Sequence, residues 1–215
     1  MRTDKEKVIT LLKVIHEFYP VGIPTMKMAY PGYSNYNRIL TEKINSIMDN
    51  RATPWVNVVE NLKAKFGTAV TDMNYLQFPC HLMKIELETE SNGPYDFKRF
   101  MVVNISLLCD FYTIFIEDFF RYASYTNQIA KPSTSILFSS KTGEEKYFDG
   151  LINNVKEKVS LAFPTHERIS HKPLFSYKVR GANPYTEEES DNEMFCLYQL
   201  LFDGFYKTDN LFTLD

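Results

Sequence analysis

The sequence predicts an α+β fold in which N-terminal helices precede a mainly antiparallel sheet, with helices packed on one face of that sheet. Residues 1–67 carry apolar residues at helical spacing, and residues 99–122 hold the longest concentration of β-branched and aromatic residues in the chain. The turn sequence Ser-Asn-Gly-Pro at residues 91–94 then predicts an antiparallel hairpin that includes this central stretch. We expect a single domain over residues 1–215, with residues 68–215 as its sheet-containing part.

Three helices are predicted before the sheet. The first covers residues 3–19 and begins with a capping box formed by Thr3 and Glu6. The second covers residues 36–48, and the third covers residues 53–67, with a threonine cap followed by proline in its first turn. In each helix the apolar residues recur on one face, which is typical of helices that cover another layer.

Two strands are predicted in the central stretch. Residues 100–108 alternate between a wholly apolar face and a mixed one, and residues 111–118 are apolar on both faces, as in a strand that is covered on both sides. Because one strand of about eighteen residues would be unusually long, Cys109 and Asp110 should form a turn or a bulge. A helix capped by Asp110 is disfavoured by the β-branched residues that follow it. A membrane span over residues 101–120 is excluded, since three carboxylates would lie in the bilayer.

The elements around the central stretch are predicted as follows. The strand before it covers residues 79–90, which alternate between apolar and charged side chains. After it come a short strand at residues 135–139, a helix capped by Thr142, and a strand at residues 173–180. A last helix begins near Ser190, although a strand at its apolar centre, residues 195–202, is an open alternative. That helix would bury Met194, Leu197, Tyr198, Leu201 and Phe205.

Composition limits the classes of partner and the compartment. A net charge of -3 and a pI near 5.9 give no general attraction for nucleic acid or for anionic lipid. The cysteines are odd in number and lie among apolar neighbours, which indicates buried free thiols in a reducing compartment: Cys80, Cys109 and Cys196. The first residues carry acidic side chains where a signal peptide would have a basic region. We therefore expect a cytoplasmic protein that binds neither nucleic acid nor membrane.

The sequence contains no catalytic signature, and we predict no catalytic residue, no metal site and no cofactor. Cys80 and His81 are a potential nucleophile and base, but neighbours on a strand point to opposite faces. The four histidines lack cysteines or carboxylates at metal-site spacing. An enzyme with residues scattered along the chain remains an alternative, and its candidate residues are Glu117, Asp118, His81 and Arg121.

The most unusual charged stretch is residues 186–193, TEEESDNE, which we call the acidic segment. Its carboxylates beside Tyr185 would steer a cationic protein partner and repel nucleic acid. A proline-rich loop near residue 30 adds aromatic side chains that either pack on the protein or contact a partner. The candidate partner-binding residues are Tyr185, Glu187, Glu188, Glu189, Asp191, Tyr30 and Tyr33.

Three classes of function follow from these features. The first is a protein-binding module, acidic and tyrosine-rich, with a bacterial immunity-type protein that occludes a basic toxin as its concrete form. This form rests on the overall profile of the chain and on no sequence motif. The second class is the enzyme with a dispersed carboxylate and histidine site, and the third is a subunit that assembles with copies of itself through exposed aromatic residues.

Overall fold

A computed structural model describes residues 2–22, 30–92, 95–122, 133–139, 146–185 and 194–214. The helices of these residues are α1 (Asp4–Phe18), α2 (Pro31–Met48), α3 (Pro54–Phe66), α4 (Lys146–Ala162), α5 (His171–Ser176) and α6 (Leu197–Leu201). Their strands are β1 (Val70–Asp72), β2 (Cys80–Asn92), β3 (Tyr95–Ser106), β4 (Phe111–Tyr122), β5 (Ser133–Phe138), β6 (Glu167–Arg168), β7 (Lys178–Arg180), β8 (Met194–Cys196) and β9 (Leu211–Thr213).

The α+β class and the order of helices before sheet are confirmed. The main sheet has the strand order β1-β2-β3-β4-β5-β9, in which β1 to β5 are antiparallel neighbours and β9 lies parallel to β5. The short strand β6 pairs in parallel with the beginning of β4, and β7 and β8 form a separate antiparallel pair. The fold therefore centres on the three long strands β2, β3 and β4.

The predicted hairpin of β2 with the central stretch is present, and the two halves of the central stretch also pair as antiparallel neighbours. Strands β2 and β3 pair from Cys80 opposite Ser106 onwards, and β3 and β4 pair with Ile105 opposite Tyr112. Of the two alternatives for Cys109 and Asp110, a turn or a bulge, the structure has a turn, which connects β3 to β4. All three strands are longer than usual, with 13 residues in β2 and 12 each in β3 and β4.

Helices cover both faces of the sheet, and the prediction that they pack on one face is wrong. On the face that we call the α3–α4 face, Met101, Val103 and Ile114 pack with Trp55 and Val155. The opposite face, which we call the α1–α6 face, is buried mainly under α1, α5 and α6; its cluster includes Leu82, Val102, Phe115, Leu11, Leu174 and Tyr198. The physical reason is the sequence of β4, whose residues are apolar on both sides, so that each side needs its own layer.

Contacts between distant parts of the chain close the α1–α6 face. The Tyr19 hydroxyl donates a hydrogen bond to the Leu200 carbonyl oxygen over 2.5 Å. Helix α2 reaches α1 at Gly32, where an added Cβ would lie 2.0 Å from the Glu17 carbonyl oxygen. Only glycine permits this approach of the two backbones.

The strand predicted at residues 173–180 is wrong for most of its length. The chain forms helix α5 there, and only Lys178–Arg180 is a strand. The adjacent residues Leu174 and Phe175 are both buried in the α1–α6 face, which one turn of helix achieves and an alternating strand cannot.

The last predicted helix is divided into strand β8 and the short helix α6, so the two alternatives for residues 195–202 each describe part of the segment. The predicted burial of Met194 and Phe205 is wrong, since 46% and 48% of their surfaces are exposed. Met194 begins β8, and Phe205 follows the end of α6, so neither side chain lies on a helix face. The predicted caps Thr142 and Ser190 lie outside the described residues.

Candidate functional site

The candidate residue Tyr185 belongs to a group of packed rings that we call the tyrosine cluster, formed with Tyr19, Tyr33 and Tyr36. The Tyr185 ring stacks on Tyr19 at 5.0 Å between centroids, and it meets the rings of Tyr33 and Tyr36 edge-on at 4.9 and 4.7 Å. Its hydroxyl donates a hydrogen bond to the Phe18 carbonyl oxygen. Burial raises the pKa of Tyr185 above its usual value. These contacts hold Tyr185 in a fixed position at the end of α1.

The other two candidate aromatic residues also contact the protein. The Tyr30 hydroxyl donates to the His16 carbonyl oxygen of α1, and Tyr33 lies in the first turn of α2 against Tyr185. Both side chains are half-buried, so each keeps some exposed surface. The rings therefore serve packing, and their exposed edges are the part that a partner could contact.

The candidate carboxylates Glu187, Glu188, Glu189 and Asp191 lie outside the described residues. The residues at both ends of the acidic segment are described. Tyr185 precedes it in the tyrosine cluster, and Met194 follows it in β8, paired with Arg180 of β7. The acidic segment thus joins two anchored points of the fold.

The candidate enzyme residue Glu117 lies on the α1–α6 face and is only 3% exposed. Its carboxylate accepts hydrogen bonds from Lys84 Nζ at 2.7 Å, from the Tyr206 hydroxyl at 2.9 Å and from Ser135 Oγ at 3.0 Å. Asp203 is close enough that Glu117 adds to the increase in its pKa, which burial raises to about 6. We call this group the Glu117 network; it pairs a buried carboxylate with a cation and two hydroxyl groups.

The structure does not bring the four candidate enzyme residues together. Asp118 accepts both hydrogen bonds of a fork from Arg99, at 2.7 and 2.8 Å. His81 lies six residue pairs away along the sheet, which is about 20 Å at the rise of an extended strand. Arg121 binds the exposed Asp96 at the far end of the sheet. With Glu117 on the opposite face, these residues form no common site.

His81 lies in a cleft on the α3–α4 side of the sheet. Its ring stacks on the Trp55 ring at 5.0 Å with 9° between the planes, and its Nδ1 lies 3.1 Å from Asn74 Oδ1. Burial lowers the pKa of His81 to about 3, and the positive charges of Lys43 and His166 add to this effect. The imidazole is therefore neutral at physiological pH.

The cleft has a volume of about 480 Å³ and lies between the end of α2, the beginning of α3, and β1 with the residues after it. We call it the Trp55 cleft. Sequence reasoning identified His81 but missed Trp55, Asp72 and Asn74, which also line it. A strand of three residues such as β1 gives no periodic signal, and only its pairing with β2 brings Asp72 beside His81.

The Cys80 thiol is not a partner for His81. Cys80 is buried in the α1–α6 face, as expected for alternating residues of a strand, and burial raises its pKa to about 12. The thiol therefore stays protonated and unreactive at neutral pH. All three cysteines are unpaired, and Cys109 is half-buried.

No family model, curated protein or solved structure matches this chain. Within the described ranges, no group of three or more histidine, cysteine, aspartate or glutamate side chains is arranged to hold a metal ion. Among the helices of the described residues, none combines the length and the apolar character needed to cross a bilayer.

Proposed function

We propose that this chain is a cytoplasmic protein-binding module whose acidic segment receives a basic protein partner. The observation that carries the proposal is the anchoring of Tyr185, directly before five carboxylates within seven residues. In its concrete form the protein is of the immunity type and neutralises a basic toxin by occluding it.

Two physical arguments support binding at this place. A dense group of carboxylates attracts a cationic surface over about one Debye length, which increases the rate of encounter and excludes acidic partners. The contacts of Tyr185 and of β8 also fix the two described positions that flank the acidic segment in the chain, and fixed flanking positions reduce the entropy lost when a partner binds between them.

The exposed edges of Tyr30 and Tyr33 lie next to Tyr185 and supply apolar contact area for the same partner. Two cations, Lys178 and Arg180, are exposed on β7 near the end of the acidic segment. They offset only part of its charge, since the segment carries five carboxylates.

The test begins with purification from the native cells at low ionic strength, followed by native mass spectrometry. We expect a complex with one basic protein at a fixed stoichiometry, and we expect it to dissociate as salt is added. A homo-oligomer would favour the alternative of a subunit that assembles with copies of itself. A monomer that is purified without any bound protein would contradict the proposal.

The decisive variant neutralises Glu187, Glu188, Glu189 and Asp191 together by substitution with glutamine or asparagine. Its control neutralises four carboxylates elsewhere, by the substitutions E42Q, E60Q, E157Q and D209N, all at exposed positions. Both variants have the same net charge, so any difference between them reflects position alone. We expect the partner's Kd to increase at least tenfold in the first variant and to stay nearly unchanged in the control; equal effects would contradict steering by the acidic segment.

A further inference from the structure

The Trp55 cleft contains two hydrogen-bond acceptors that face the same space. Trp55 contacts both of them, because its indole Nε1 donates to Asp72 while its ring stacks on His81. Asn74 also contacts both, since its backbone N–H donates to Asp72 Oδ1 at 3.1 Å and its side-chain oxygen meets His81 Nδ1. Asp72 and His81 are therefore near neighbours, within reach of one small ligand group.

The Asp72 carboxylate has acceptor capacity that the fold does not use. The single indole N–H of Trp55 is shared between the two carboxylate oxygens, with Nε1 at 3.3 Å from Oδ1 and 3.4 Å from Oδ2. Oδ1 also accepts a hydrogen bond from the Asn74 backbone N–H. A carboxylate has about four lone-pair positions, so both oxygens can still accept from a ligand. Asp72 is exposed as a residue, but partial burial of its carboxylate raises the pKa, and a bound cation would stabilise the charged form.

His81 supplies the second acceptor. Because its Nδ1 faces the oxygen of Asn74, Nδ1 carries the hydrogen of the neutral ring and Nε2 carries the lone pair. No described residue donates to Nε2. The ring is held by stacking and by Asn74, so this lone pair has a fixed direction.

The remaining lining suits an aliphatic or planar group. Ile47 and Val56 are exposed at 36% and 43%, and Ala52 lies between them in sequence. The cation of Arg51 also lines the cleft, but Asp49 holds its guanidinium with contacts of 2.5 and 3.0 Å. The Arg51 guanidinium therefore pairs with Asp49 and not with the Asp72 carboxylate.

We propose that the Trp55 cleft binds a guanidinium group, with Asp72 accepting its paired N–H groups and His81 Nε2 accepting a further one. A guanidinium offers five donors in a planar fork that matches a carboxylate, and it gives up its water more easily than an ammonium does. The cleft volume is in the usual range for small-ligand sites. The inference does not rest on the acidic segment, and its test needs no protein partner.

The chain provides its own probe, since Trp55 is its only tryptophan and lies in the cleft. Tryptophan fluorescence should change in a saturable manner when the amide-capped arginine derivative is added, with calorimetry as the second measurement. The citrulline derivative has nearly the same shape but a neutral urea group, and we expect no binding from it. The lysine derivative should bind at least tenfold more weakly, because an ammonium cannot form the fork.

Asp72→Asn should weaken arginine binding about tenfold or more, because the carboxylate is the charged acceptor. Asp209→Asn, at an exposed position away from the cleft, is the matched control and should bind as the original protein does. If Asp72→Asn does not fold, the comparison of arginine with citrulline on the original protein decides. Equal binding of citrulline or lysine, or no saturable response to arginine, would overturn the proposal.

Two sources of guanidinium are separated by the same titration. Free arginine that binds as tightly as a peptide with one internal arginine would identify a small guanidino compound as the ligand. Binding of the peptide alone would identify an arginine side chain of a protein. Either result supports the site, and neither depends on the experiment with the acidic segment.

Discussion

The Lys43 ammonium of α2 donates a hydrogen bond to the Cys80 carbonyl oxygen at the beginning of β2, over 2.7 Å. It also donates to the carbonyl oxygens of Tyr75 at 2.5 Å and Phe78 at 3.0 Å. The three donors of one ammonium are thus matched to three carbonyl groups, two in the connection between β1 and β2 and one at the first residue of β2. Because this connection leads directly to His81, Lys43 also holds one wall of the Trp55 cleft.

Lys43→Met should lower the free energy of unfolding by about 3 kcal/mol, because buried carbonyl groups lose charged donors while the aliphatic volume is kept. Lys13→Met, at an exposed position of α1, is the control and should change stability by less than about 0.5 kcal/mol. Urea unfolding followed by circular dichroism measures both variants. Similar losses in the two would show that the three hydrogen bonds contribute little.

Glu117→Gln should destabilise the protein by about 3 kcal/mol, because Lys84 then remains half-buried without its carboxylate. Glu86→Gln on β2 of the same sheet is the control, since its exposed pair with Lys98 contributes at most about 1 kcal/mol. Adding Lys84→Met to Glu117→Gln should recover part of the loss, since it removes the unpaired cation. A double-mutant cycle measures this coupling, and strictly additive effects would contradict the Glu117 network.

Asp203 should make the protein less stable as the pH rises from 4 to 6. Burial raises its pKa to about 6 in the folded protein, against about 3.9 in an unfolded chain. Between these values the folded state binds more protons, so stability decreases with increasing pH. Asp203→Asn should therefore be more stable than the original protein by about 2 to 3 kcal/mol at pH 7 and equally stable at pH 4. Denaturant titrations at both pH values check this, with Asp209→Asn as the control. A difference in stability between Asp203→Asn and the original protein that is the same at pH 4 and at pH 7 would contradict the prediction.

His81 should have the opposite effect on stability. Its pKa is lowered to about 3, against about 6.5 in an unfolded chain, so the unfolded state binds more protons between these values. The neutral His81 ring therefore contributes to the free energy of unfolding fully above pH 6.5, and this stabilisation is lost as the pH falls towards 3. Nuclear magnetic resonance should find no titration of the His81 ring between pH 5 and pH 8, with His81→Gln used to assign its signal. A midpoint near pH 6.5 would contradict a buried neutral ring.

Elements that depend on local interactions were predictable from the sequence. The capping box of Thr3 and Glu6 gives the start of α1, and both of its hydrogen bonds are present. The alternation of β3 and β4 gives the central hairpin, because each strand carries its own apolar pattern. The start of α2 at Pro31 was placed five residues too late, since its first turn contains few apolar residues.

Elements that depend on distant contacts were not predictable in the same way. Strand β1 exists because Val70 pairs with Ile85 of β2, and helix α5 exists because it covers the α1–α6 face. The Trp55 cleft is of this kind too: Trp55 and Asp72 are seventeen residues apart, and a long hydrogen bond joins them. No local spacing encodes such a site, and the sequence indicated only that His81 does not act with Cys80.

The hydrogen bond from Tyr19 to Leu200 has a consequence for the order of folding during translation. The two residues are 181 positions apart, so a ribosome that adds 5 to 20 residues per second separates their appearance by roughly 10 to 40 s. The buried residues of the α3–α4 face end at Val159, so that side of the nascent sheet can be covered first. Until α6 emerges, the apolar residues of the α1–α6 face lack their final cover, and this interval is when the nascent chain most needs a chaperone.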